Sequence, residues 1–162
     1  MKTLSLTTLK AGVIVTAVIL SSLATTAWSH HSFAMYDTTK TLTFSGVVTR
    51  YVSQANHAEI HFIPLGPDGK PMKDPDGQYV TWGVEMAGAA AMAAQGISVT
   101  TFPANTIFSV SLHPLRDGKN FGTIEGPVYK CPPKTPPPAG KHCDSVPGST
   151  QHGRGNFNAN SQ

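Results

Sequence analysis

Seven histidines are spread over 162 residues, and two of them, His30 and His31, stand side by side. If the chain is cut after Ser29, His30 carries a free α-amine, so an amine and two imidazoles fall within two residues. Nitrogen-rich sites of this kind suit copper(II), which lies near the top of the affinity order for first-row metals and accepts tetragonal geometry. Two modes are open. The amine and side chain of His30 chelate as a brace with a distant histidine, or the amine, an amide nitrogen and His31 bind as a peptide-like site.

His57, His61 and His113 are the distant partners on offer. His57 and His61 are about 13 Å apart in an extended chain at ~3.3 Å per residue, so without a bulge at most one of them joins a given ion. His113 stands before Pro114 at the edge of a polar turn, which suits a ligand. The metal candidates are therefore His30, His31, His57 and His113. Against them stands a plainer reading, in which His57, Glu59 and His61 form the solvated side of a strand and His31 packs locally.

The polar turn itself, Leu115-Arg116-Asp117-Gly118, has two readings. Arg116 holds an anion through its planar fork, with Asp117 and Gly118 fixing the turn, or the segment is a hairpin connection with Arg116 paired to Asp117, Glu85 or Glu125. Glu85, taken with Trp82 and Val84 at period two, is read as partly buried and as the carboxylate partner of Arg116 or a histidine. With Glu59, which sits between His57 and His61, these residues make a ligand-binding set of Arg116, Asp117, Glu85 and Glu59. The chain carries no Gly-x-Ser-x-Gly, no His-Glu-x-x-His, no phosphate loop and no cysteine beside a base in its strand-rich part. Binding is better supported than catalysis.

The positioning elements begin after an export signal. Lys2 and Lys10 precede the apolar run Ala11 to Leu23, too short for the ~20 residues of a spanning helix, and small residues lead to Ser29. A second cut, after Ala27, would leave Trp28 and Ser29 ahead of the histidines. Processing after Ser29 leaves 133 residues and lowers the formal charge from +3 to +1, because Lys2 and Lys10 leave with the signal. No basic patch of the kind a nucleic-acid binder needs remains. The expected location is the periplasm or beyond it, with no membrane anchor on the mature form.

Alternating apolar residues predict strands over about 41–52, 57–64, 78–86, 106–112 and 121–129. Gly46 marks a bend or bulge in the first. Two Pro-Asp-Gly turns separate the second and third. The alanine-rich stretch 87–96 predicts one short helix, apolar nearly all round and so packed on the sheet, stopped by Gly96 in left-handed geometry. Strand, strand, strand, helix, strand, strand is the order of a five-stranded OB-like barrel, an all-β fold, although order alone leaves an open sandwich standing.

Residues 131–162 form a Pro-rich tail, predicted to be extended and to end disordered. Its Cys131 and Cys143 are the chain's two cysteines, which in an oxidising compartment predicts one disulfide, the alternative being a thiol or metal pair helped by His142.

His30-His31-Ser32-Phe33-Ala34, Phe44-x-Gly46-x-Val48, Trp82-x-Val84-Glu85 and His113-Pro114-Leu115-Arg116-Asp117-Gly118 together resemble a family of small exported bacterial proteins of unknown function, domain of unknown function 6152, over about residues 30–129. The resemblance implies an exported small β domain and no activity. Where members of that family usually show Asn-Pro-His, this chain has Ala55-Asn56-His57, which keeps the histidine and changes the turn before it.

Three functions follow as expectations. The first is an exported binding or accessory module whose histidine-bearing rim takes copper, a small ligand or a periplasmic redox partner. The second is a copper-dependent redox enzyme with an amino-terminal histidine brace, and the third an envelope protein-interaction module working through its tail.

Overall fold

A computed structural model describes residues 33–156. The segment read as an export signal, His30 and His31, and residues 157–162 lie outside the described residues. Five strands carry the fold: β1 (Leu42–Ser53), β2 (His57–Pro64), β3 (Trp82–Ala87), β4 (Ile107–Pro114) and β5 (Phe121–Lys130), with helix α1 (Ala89–Ala93) between β3 and β4. β1 is long enough to serve two neighbours, its first half pairing with β4 and its second with β2, both antiparallel. β2 pairs with β3 and β4 with β5 in the same sense. The parallel pairing of Gly83–Glu85 with Phe121–Thr123 then joins β3 to β5 and closes the barrel. The order and the closure are those of an OB-like barrel, and the open sandwich is excluded.

Alternation decides the two faces. Along β2 the even positions Ala58, Ile60 and Phe62 are fully buried while His57, Glu59 and His61 point away. Phe62 and Phe108 meet edge to face with centroids 5.2 Å apart, and Phe102 approaches Phe108 at 6.2 Å. The irregularity in β1 falls between Val48 and Arg50 rather than at Gly46. Gly46 is instead where the Phe62 ring crosses the strand, close enough that a Cβ would lie 2.6 Å from it.

Two elements differ from expectation. β3 begins at Trp82 because residues 78–80 fold back on the preceding turn, Lys73 bridging Tyr79 and the Val80 amide donating to Met72 O. The first Pro-Asp-Gly turn forms as its chemistry predicts, Asp68 accepting the Lys70 amide. In the second the acceptor is Asp74, the residue before Pro75, which takes the Gln78 amide in place of Asp76. The helix is only five residues long and buries Met92 alone, leaving Ala90, Ala91 and Ala93 outside the core. A methyl side chain gains little from burial, so an alanine run can lie on a surface. Gly96 ends this region at φ 77°.

The tail is more structured than its composition suggests. Cys131 and Cys143 form a disulfide, and both are buried with Val146 in a second small core. A 3-10 turn at Cys143–Ser145 follows, and β6 (Thr150–His152) adds a sixth strand to the free side of β5. Beneath the tail runs a hydroxyl ladder on the outside of β1 and β4. Thr43 pairs with Ser111 and Ser45 with Ser109, while His142 Nδ1 lies 2.9 Å from Ser45 Oγ and the Cys143 amide donates to Ser109. Polyproline composition does not register such a landing site on another strand. Pro137, in the proline run, is buried against the barrel side.

His142 and His152, both in this cover, have pKa values lowered chiefly by burial. For His142 the charge of Asp144 opposes the shift, and for His152 a hydrogen bond with the Gly96 backbone does. A folded pKa below the ordinary value of about 6.5 means that the unfolded chain binds the proton first. The stability held by the neutral rings is complete above that value and is lost as pH falls below it. Protection factors at residues 150–152, with the intrinsic slowing of exchange in acid taken out, are therefore expected to fall from about pH 7.5 to 5.5, more than those of the core amides of Phe108 and Val110. Uniform protection across that range would show that the rings do not hold the tail.

Candidate functional site

The outer face of β2 and β3 gathers the charged residues. His57 Nδ1 lies 3.3 Å from Glu85 Oε1, and His61 Nε2 donates to Glu59 Oε2 at 2.7 Å. Glu59 and Glu85 stand directly opposite each other across the ladder. Like charges at such positions repel, and here each carboxylate has a histidine of its own. Val84 is buried and Glu85 is not, so Glu85 lies on the face opposite Val84, and the period-two grouping of Glu85 with Trp82 and Val84 is corrected.

The same row continues sideways. Glu85 is paired with Thr123 on β5 and Thr123 with His113 on β4. Tyr36, bridged to Leu115 at the end of β4, is buried. Its phenol is raised well above the ordinary range, first by burial and then by the charge of Glu85 and weak hydrogen bonding toward it, with Glu59 adding less. No hydrogen bond of full geometry reaches the Tyr36 hydroxyl among the described residues.

The two pairs orient their rings differently. With Nδ1 turned to Glu85, His57 keeps the Nε2 lone pair for another partner, and its side chain is 47% exposed. A carboxylate on one ring nitrogen is what commonly fixes the tautomer of a metal-binding imidazole. His113 is set the same way, Nδ1 donating to Lys40 O at 2.8 Å with Glu125 Oε2 4.0 Å away. His61 is reversed, because Nε2 serves Glu59 and Nδ1 faces Gly83. Of the predicted metal residues, His57 and His113 thus have ligand-ready rings, but they stand on different strands. Among the described residues no three His, Cys, Asp or Glu side chains gather where a metal ion could sit.

Arg116 and Asp117 lie apart from these pairs. Arg116 Nη1 is 4.0 Å from Asp37 Oδ1, so its acidic neighbour is Asp37 rather than Asp117, Glu85 or Glu125. Asp117 closes its own loop, accepting the Lys119 amide and pairing with Lys119 Nζ at 2.9 Å.

Tyr36, Gly83 and Phe121 belong to this face without any sequence signal that announces it. Phe121 lies over Gly83, with its ring centroid 6.4 Å from that of His61. A Cβ at Gly83 would collide with the Phe121 ring and fall 3.5 Å from His61 Nδ1. Gly83→Val is therefore expected to cost about 1–3 kcal/mol by overpacking and to displace both rings. Urea unfolding and the His61 side-chain resonances measure the two effects, and unchanged resonances would contradict the packing described. Only the β3–β5 register brings Gly83 under Phe121, and nothing local in the sequence encodes that parallel pairing.

Residues 15–125 match the model of a family described as "Family of unknown function (DUF6152)". Neither the curated proteins nor the solved structures contain a match.

Proposed function

The chain belongs to the family of unknown function DUF6152, and from that premise we propose that it is an exported binding or accessory protein that takes copper(II) on the outer face of its β2–β3 ladder. The reading is carried by one observation: Glu85 Oε1 lies 3.3 Å from Nδ1 of an exposed His57, on the side of the ring away from Nε2. One imidazole is too few for tight binding, and the described residues gather no cluster of three donors around it. The amino end is the natural source of the others. Processing at Ser29 would give His30 a free amine beside its imidazole. After processing at Ser29 the His30 amine and imidazole would join His57, with His113 as the competing distant ligand.

Copper(II) titration of the processed protein, its first residue confirmed by mass, tests the reading against a version with one added residue before His30. One-to-one binding that weakens at least about 100-fold on extension supports it. Weak binding indifferent to the extension removes it.

A further inference from the structure

Beyond the β4–β5 loop lies a second feature that the metal reading leaves unused, an open recess of about 400 Å³. Its apolar wall is Leu42, Trp82, Pro114 and Leu115, and its rim carries Lys40, Arg116, Lys119 and Asp37. The volume is in the range of roughly 300–1,000 Å³ usual for small-molecule sites. Trp82 is held firm by Phe44, with ring centroids 4.6 Å apart.

The charges around the recess do not balance. Lys119 is spent on Asp117 at 2.9 Å and Lys40 on Asp37 at 3.2 Å. Asp37 Oδ1, the oxygen facing Arg116, already accepts from the Thr39 hydroxyl at 2.6 Å and from the Thr39 amide at 3.3 Å. Arg116 is left 4.0 Å away, beyond hydrogen-bonding distance, with 57% of its side chain exposed. Among the described residues of the rim one cation is therefore in excess, and it is the residue type whose planar fork matches a carboxylate with two hydrogen bonds. Its backbone is fixed, since the Arg116 amide donates to Met35 O and the Gly118 amide to Leu115 O.

We infer that this recess binds a small organic monoanion, a flat apolar body against Trp82 with a carboxylate on Arg116. The site is independent of copper and is tested with a chelator present, so its failure and that of the metal reading are distinguishable.

The experiment is titration of the ¹⁵N-labelled processed protein with phenylacetate, following the Trp82 indole N–H and the Arg116 amide. Saturable shifts at both are expected, with Kd on the order of 1 mM, as about ten non-hydrogen atoms at modest efficiency allow. Arg116→Gln, exposed and outside the core, should weaken binding at least tenfold without altering spectral dispersion, and 2-phenylethanol, the neutral analogue, should bind at least tenfold more weakly than phenylacetate. Acetate alone should shift Arg116 and leave Trp82 in place. Equal binding of phenylacetate to wild type and Arg116→Gln, equal binding of the neutral analogue, or no saturation at about twenty times that Kd would each overturn the inference.

Discussion

His57→Ala is expected to lower the copper(II) affinity of the processed protein about 100-fold or more, and Glu85→Gln about 10- to 100-fold. The two losses have different causes. Removing His57 deletes a ligand. Glu85→Gln keeps the ring but replaces a charged acceptor with an amide, so Nδ1 loses its strongest orienting partner and Nε2 becomes a poorer donor. Stability separates this account from simple damage to the fold. Glu59 and Glu85 face each other across β2 and β3, so neutralising one removes a like-charge contact, and the Gln variant should unfold at no lower urea concentration than wild type. Loss of affinity together with a large loss of stability would mean that Glu85 is structural.

The largest expected effect on folding comes from Phe108→Ala. Phe108 is fully buried, contacts Phe62 and Phe102 edge to face, and belongs to β4, whose pairings with β1 and β5 both hold the barrel closed. Truncating a buried phenylalanine typically costs about 3–5 kcal/mol through lost transfer energy and the cavity left behind. Urea unfolding should show a lower midpoint with an unchanged slope. A loss under about 1 kcal/mol would place the centre of the core elsewhere.

Most of the barrel is legible in the amino-acid sequence, because its signals are local. Alternation in His57–Pro64 names both the strand and its buried face, and the Pro67-Asp68-Gly69 turn acts through its own aspartate. The site is legible only in part. His57, Glu59 and His61 declare one shared face by spacing, but Glu85 joins them through the β2–β3 register, and Tyr36 through a bridge to Leu115. Neither follows from neighbours in the chain. The same holds for the tail, whose composition predicts an extended segment, while its disulfide and the Ser45–His142 contact fasten it back onto the first strand of the barrel.

Arg116 divides in the same way. Its side chain suits an anion by chemistry alone, but that its acidic neighbour is Asp37, already engaged by Thr39 and Lys40, depends on where residues 36–37 run beside Leu115.

The most direct test of the metal reading is pulsed electron spin resonance of the copper-loaded, processed protein, counting the imidazole nitrogens on the ion in wild type, in His57→Ala and in the version extended before His30. The account predicts that the wild-type count drops by one in His57→Ala and that the amine contribution disappears on extension. Identical spectra for wild type and His57→Ala would place the copper away from the β2–β3 face and contradict the proposal.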